Sequence, residues 1–165
     1  MTIYCYIALF MWSASLLFSK EYFAHYSHKA RYYGFMLLTM FATLGVFLSK
    51  DLFTLFIFFE IMSLSSYVWV VQEETEEALK AGVTYFAIAV IGGMVMLMGL
   101  FLLNDAIGTL KIDELYMAVQ NVWTEKSRQL YMAGFLMLSG FGAKAGMYPL
   151  HFWLPKAHPV APAPA

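Results

Sequence analysis

Charged side chains are scarce in this sequence. Asp, Glu, Lys and Arg make up 13% of the 165 residues, whereas a soluble domain carries about a quarter. Hydrophobic residues make up 61%. A water-soluble fold cannot bury such a surplus, so the composition excludes an ordinary soluble domain and predicts a membrane protein with the lipid bilayer as its surroundings.

An excess of positive charge is also lacking. The formal net charge is -1, so the sequence has none of the basic surface of a nucleic-acid binder, and we predict no nucleic-acid partner. Cys5 is the sole cysteine, which excludes an internal disulfide, a paired-cysteine metal site and covalent haem attachment. His25 and His28 have a helical spacing compatible with metal, but they lie in a basic connection where solvation is favoured. We therefore predict no metal and no cofactor.

Proline is absent before residue 149, and all five prolines follow from there. An α-helix needs about 20 apolar residues to cross a hydrocarbon core of roughly 30 Å. Five runs approach this length, and they predict an all-α integral membrane fold in one transmembrane domain over 1–165, with spans at 2–18, 32–48, 52–71, 81–103 and 130–147. The last span is predicted to break at Pro149, because proline lacks a backbone donor. The more polar stretch 110–122 predicts a short helix along the membrane surface.

Basic residues in the connections indicate an orientation. The short connection 20–31 carries Lys20, Lys29 and Arg31, and lysine and arginine are enriched in cytoplasmic loops. We therefore predict a multi-pass protein of the cell (inner) membrane whose N-terminus faces out.

Two ionisable residues fall within the predicted spans. Glu60 is ninth in the run 52–71, near mid-membrane, and Ser63 and Tyr67 share its helical face. Lys144 lies among small residues that leave room for water and a close neighbouring helix. A charge at this depth costs a few kcal/mol, so it calls for a function. Burial disfavours each charged form whereas an opposite charge favours it, so such a pair can exchange protons near neutral pH.

Each of these residues also has a structural interpretation. Glu60 could be a hydrogen-bonding group between helices, and Lys144 could extend to the interface from a helix that ends at Pro149. Lys80 is either an interfacial anchor or part of a proton path. His151 and His158 are either packing residues or proton relays.

The stretches FEIMSLSSY at 59–67, EALKAG at 77–82 and GFGAKAGMYPLHFWLPKAHPVAPAPA at 140–165 occur in this order. Over about 32–165 the sequence resembles the proton-conducting antiporter-like subunits of respiratory complex I, of membrane-bound and formate-linked hydrogenases, and of multisubunit cation/proton antiporters. The resemblance implies that Glu60 and Lys144 form a switching pair and that Lys80 opens a further helix of the proton path. It also implies other membrane subunits as partners, and protons or sodium as the ions.

The sequence departs from that family in two respects. Lys156 stands where members often have an acidic residue. Members are built as two inverted repeats, and this chain matches part of the first, which indicates a shortened piece of such a subunit. The function predicted is proton translocation, with sodium coupling as a variant, driven by a redox or antiport complex such as NADH:quinone oxidoreductase or a membrane-bound hydrogenase. The alternatives are a structural fragment without transport, and a redox membrane subunit that binds quinone or haem.

Overall fold

The computed structural model describes residues 2–25 and 29–164, so His28 lies outside the described residues. Six α-helices form in this part of the chain: α1 Thr2–Tyr22, α2 Lys29–Leu48, α3 Leu52–Val70, α4 Glu76–Ile107, α5 Leu115–Ala145 and α6 Leu154–Ala157. Short 3₁₀ turns occupy Phe23–His25 and Leu150–Trp153. The prediction of an all-α architecture is confirmed.

Four of these helices, α1 to α4, are long and apolar enough to cross a membrane. Most of the fifth predicted span, 130–147, lies in α5, which does not reach the same hydropathy because its first half is polar and Lys144 lies near its end. Its second half nevertheless packs along the apolar helix α4. The chain is therefore a membrane protein with several apolar helices.

Capping residues set the bounds of α3 and α4. The side chains of Asp51 and Thr75 accept hydrogen bonds of 2.8 and 3.1 Å from backbone N–H groups three residues later. α4 ends at Gly108, whose φ of 75° lies in the left-handed region. The resulting 32-residue helix is about 48 Å long at 1.5 Å per residue. It is longer than the predicted span 81–103 and longer than the hydrocarbon core is thick.

α5 unites two elements that the sequence separated. Residues 115–122 of the surface helix predicted at 110–122 and residues 130–145 of the span predicted at 130–147 form one helix, kinked at Lys126, where φ is −117° and ψ is 19°. No proline or glycine lies between them to end the helix. At the kink, the Lys126 ammonium donates to the carbonyls of Asp105 and Ala106 at 3.3 and 3.1 Å, which caps the end of α4.

The break after α5 begins earlier than predicted. Gly146 follows the helix in the left-handed region, with φ 70° and ψ 34°. The next N–H, of Met147, donates to the carbonyl of Gly142 at 2.8 Å, which closes the helix end. Pro149 comes three residues later and starts the 3₁₀ turn. The glycine therefore ends the helix, and the proline occupies the far side of the break.

Beyond the break the chain continues along α4 in the direction of α5. The indole N–H of Trp153 donates to the carbonyl of Ala143 at 2.8 Å. Its ring packs edge-on against Tyr85, with the centroids 5.0 Å apart. Further on, Ala157 joins the buried cluster that contains Ala81 of α4. The helix α5, the turn and α6 thus contact α4 progressively closer to its start.

Small residues let α4 and α5 pack antiparallel at close range. A Cβ atom on Gly92 would lie 2.9 Å from the Cβ of Ala143, and one on Gly140 would lie 2.5 Å from the Cβ of Met96. Such close approach is typical of helix interfaces in membranes. The interface holds the end of α5, including Lys144, against α4.

The connections lie on two opposite faces of the bundle. At the start of α2, Arg31 donates to the side chain of Gln72 at 3.2 Å and pairs with Glu74 at 2.5 Å, so the connections before α2 and after α3 share one face. We call it the Arg31 face. On the opposite face, two backbone hydrogen bonds of 2.9 and 3.0 Å join residues 50–52 to residues 110–112.

Candidate functional site

Glu60 lies near the middle of α3 and turns toward α4. Its Oε1 atom is buried and has no hydrogen-bond partner among the described residues. The carboxyl group rests against Gly93, where an added Cβ would lie 2.6 Å from both carboxyl oxygens. The absence of a side chain at Gly93 therefore makes the space in which the Glu60 carboxyl lies.

Lys144 lies in the last turn of α5 and reaches toward α3 and α4. Its ammonium donates to Ser66 Oγ at 3.3 Å and to Tyr85 Oη. It also lies 4.3 Å from the centroid of the Tyr85 ring, within the range of a cation–π interaction. Lys144 thus points into the bundle and not along the helix toward the membrane surface.

Tyr85 and Ser66 complete a small polar cluster that the sequence analysis missed. Tyr85 is 5% exposed, and its hydroxyl oxygen lies 2.6 Å from Ser66 Oγ and 3.2 Å from the carbonyl oxygen of Ser63. Ser66 could have been found, since it lies three residues after Ser63 on α3. No local pattern marks Tyr85, whose part depends on how α4 packs against its neighbours.

The predicted polar face of α3 is present in part. Ser63 is buried, and its carbonyl joins the cluster around Tyr85. Tyr67 instead packs edge-on against Phe86, with the centroids 5.6 Å apart. On α3 the hydroxyl cluster therefore includes the side chain of Ser66 and the backbone carbonyl of Ser63, and not Tyr67.

Glu60 and Lys144 are neighbours but not an ion pair. The ion pairs of the described residues are Arg31–Glu74, Lys80–Glu76 and Lys111–Glu114. The Glu60 and Lys144 charges are nevertheless within electrostatic range of each other. The two groups are thus placed in one interior region, with the ammonium held by hydroxyls and the carboxyl held against Gly93.

A cavity of about 330 Å³ opens beside Lys144. Residues from α1 to α6 and the following chain line it, including Trp12, Thr39, Ser66, Tyr85, Lys144 and His158. His158 is itself exposed. The cavity therefore links the Lys144 side chain to a histidine near the end of the chain.

The structure does not bring the other two predicted site residues into this cluster. Lys80, in the second turn of α4, is exposed and pairs with Glu76 at 2.6 Å. His151 is exposed and its ring contacts Tyr148, with the centroids 5.5 Å apart. Within residues 2–25 and 29–164, no three His, Cys, Asp or Glu side chains group as metal ligands.

These features define a class: an all-α membrane bundle that holds a carboxyl group and an amine in its interior. The family described as NADH:quinone oxidoreductase/Mrp antiporter, TM, matches residues 49–165. The chain belongs to this family.

Relatives and solved structures agree with this assignment. The Staphylococcus aureus (strain JH9) protein "Putative antiporter subunit mnhD2" is 35% identical over 141 residues, which are 84% of this chain and 28% of the relative. The same protein of S. aureus strain Newman matches equally. The chain therefore spans about 28% of the length of these curated relatives.

Two membrane complexes contain chains with a similar structure. One is the membrane-bound sulfane sulfur reductase, an archaeal respiratory membrane complex, with a TM-score of 0.74 and 30% identity over 79% of this chain and 26% of that chain. The other is the Mrp complex from Dietzia sp. DQ12-45-1b, with a TM-score of 0.66 and 26% identity over 77% of this chain and 24% of that chain. Both similarities extend over most of this chain and about a quarter of the other.

Proposed function

We propose that this chain is part of a membrane subunit that translocates protons through Glu60 and Lys144. In this proposal an antiport or redox complex of the cell (inner) membrane drives the transfer, with other membrane subunits as partners and sodium as a candidate counter-ion. The names of the relatives support it, since they include an antiporter subunit, an Mrp complex and a respiratory reductase. The Arg31 face is assigned to the cytoplasm because of its basic residues.

The observation that carries the proposal is the buried, unpartnered Oε1 of Glu60 on α3, the helix whose Ser66 accepts a hydrogen bond from the Lys144 ammonium. A buried polar atom without a partner costs about 1–3 kcal/mol, and a charge inside the membrane costs a few kcal/mol more. Packing alone does not require either group, because an apolar residue could fill each position. A group that must bind and release a proton does need to be ionisable.

The transfer itself needs no other reactant than the pair and a proton source. The Lys144 ammonium passes a proton to the Glu60 carboxylate, which leaves a neutral amine and a carboxylic acid. Water in the cavity beside Lys144 then returns a proton to the amine, with His158 as a relay at the cavity lining. Lys80 and His151 are exposed here, so their part in the path remains a prediction.

Substitutions in the full-length subunit, assembled in its complex, test the proposal. Glu60→Gln and Lys144→Met should each abolish most proton uptake into proteoliposomes, measured with a pH-sensitive dye with and without a sodium gradient. Glu21→Gln and Lys20→Met, at the exposed end of α1, remove the same charges outside the site and should leave uptake unchanged. Normal uptake in both site variants would refute the proposal.

The stability of the double variant tests whether the two groups interact. Removing one charge leaves the other unpaired in a low dielectric, whereas removing both leaves neither. The double variant should therefore be less destabilised than the sum of the single variants, by about 0.5–3 kcal/mol. Additive losses in the free energy of unfolding would mean that the groups are not coupled.

A further inference from the structure

The partners of the Lys144 ammonium are hydroxyl groups. Ser66 Oγ and Tyr85 Oη accept its hydrogen bonds, and these two oxygens lie 2.6 Å from each other. The Tyr85 hydroxyl is buried between α3, α5 and the turn after the break, and its ring is held by Trp153. The position of this hydroxyl is therefore set by packing as well as by hydrogen bonds.

A hydroxyl differs from a carboxylate in the hydrogen bonds that it can form with an amine. A carboxylate only accepts hydrogen bonds, so it favours the charged ammonium. A tyrosine or serine hydroxyl both donates and accepts. It can accept from the ammonium of Lys144, and it can donate to the lone pair of the neutral amine. When the ammonium is present, the Tyr85 hydroxyl donates its own hydrogen bond to the carbonyl of Ser63, 3.2 Å from Tyr85 Oη.

We infer that Tyr85 and Ser66 form a second docking position for the Lys144 side chain, which holds it away from Glu60 in either protonation state. This inference rests on the proposed function and adds positioning residues to it. Lys144 gives its proton to Glu60 in one position and is held at the hydroxyls in the other. Around the second position, the described titratable groups are Glu60 on α3, Tyr85 itself on α4, and His158, which lines the same cavity.

Tyr85→Phe in the full-length subunit tests the inference, because it removes the hydroxyl and keeps the ring against Trp153. The hydrogen bond to a charged amine is stronger than that to a neutral one, so its loss favours release of the proton. The alkaline limb of the pH profile of proton uptake should then move to lower pH by roughly one unit, which is equivalent to a tenfold change. Tyr33→Phe is the control, since this half-buried tyrosine of α2 lies outside the cluster.

Each outcome decides between the positioning role and its absence. An unchanged profile in Tyr85→Phe, or an equal loss of uptake at every pH, would overturn the inference even if Glu60→Gln and Lys144→Met abolish uptake as proposed. If Tyr85→Phe does not assemble, Ser66→Ala and Ser66→Thr replace it. Ser66→Ala should shift the profile, and Ser66→Thr, which retains a hydroxyl, should restore it. Identical profiles for these two variants would also overturn the inference.

Discussion

At the scale of single residues, the Glu60 carboxyl lies in the space that Gly93 leaves, and the Lys144 ammonium is held by the hydroxyls of Ser66 and Tyr85. Glu60 and Lys144 could be predicted because a charge within an apolar run is a local signal. Tyr85 and Gly93 could not, because their roles depend on which face of α4 meets α3 and α5. The geometry of the site is therefore a property of helix packing, which a single sequence does not state.

The role of Gly93 can be tested by adding a single methyl group at this position. Gly93→Ala places a Cβ 2.6 Å from both Glu60 carboxyl oxygens. The carboxyl is the end of a flexible side chain, so it should move aside without loss of the bundle. We expect assembly to be retained and the rate of proton uptake by the full-length subunit to fall by about tenfold or more, since small misplacements of reacting groups are costly.

Gly134→Ala is the matched control for Gly93→Ala. Gly134 lies in α5, and a Cβ there would meet nothing within 4 Å. Both changes raise helix propensity by up to about 1 kcal/mol, so they differ in what the methyl group touches. Equal uptake in the two variants would show that the space beside Gly93 has no functional part.

At the scale of helices, the type of each element was predictable and its ends were less so. Apolar runs located α1 to α4, but α4 extends beyond its run because Thr75 and Gly108, outside the apolar segment, set its ends. The break was assigned to Pro149, the stronger signal in the sequence, whereas Gly146 ends the helix first. Caps and left-handed glycines decide helix ends, and both are single residues that hydropathy averages over.

The cap of α3 can be tested directly. The side chain of Asp51 accepts hydrogen bonds of 2.8 and 2.7 Å from the backbone N–H and the hydroxyl of Thr54. Asp51→Ala should lower the free energy of unfolding of the full-length subunit by about 1 kcal/mol at neutral pH. Asp51→Asn retains the capping oxygen, so it should lower the free energy of unfolding by only a fraction of that amount.

The effect of the Asp51 cap should depend on pH. The hydrogen bonds from Thr54, chiefly that from its backbone N–H, lower the pKa of the Asp51 carboxyl in the folded state. The carboxylate therefore adds stability above the unfolded pKa of about 3.9, and this part is lost as the pH falls through the lowered folded pKa. Urea titrations in detergent at pH 7 and at pH 3 measure this contribution as the difference in the free energy of unfolding between wild type and Asp51→Asn. An equal difference between wild type and Asp51→Asn at both pH values would contradict the prediction.

At the scale of the whole molecule, the chain forms a bundle whose surface is rich in apolar side chains. Phe10, Leu17, Met94 and Phe135 are examples that are more than half exposed. Lipid or further helices can cover such an apolar surface. Both are candidates here, because the chain spans about 28% of the length of its relatives. Each helix that crosses the membrane moves the next connection to the opposite face. The side on which each connection lies therefore tests the membrane topology.

Cysteine labelling in the full-length subunit measures that topology. Cys5, the sole cysteine of the chain, is 8% exposed, and Cys5→Ala removes its background. Glu21→Cys and Glu77→Cys lie near the Arg31 face, and Asp113→Cys lies near the opposite face; all three positions are exposed. A membrane-impermeant maleimide should label Glu21→Cys and Glu77→Cys only in inside-out vesicles, because the basic Arg31 face is predicted to be cytoplasmic. It should label Asp113→Cys only in right-side-out vesicles. The reverse pattern would refute the predicted orientation but would agree with the arrangement of the helices. Labelling of Glu21→Cys and Asp113→Cys from the same side would contradict the crossings of α2, α3 and α4.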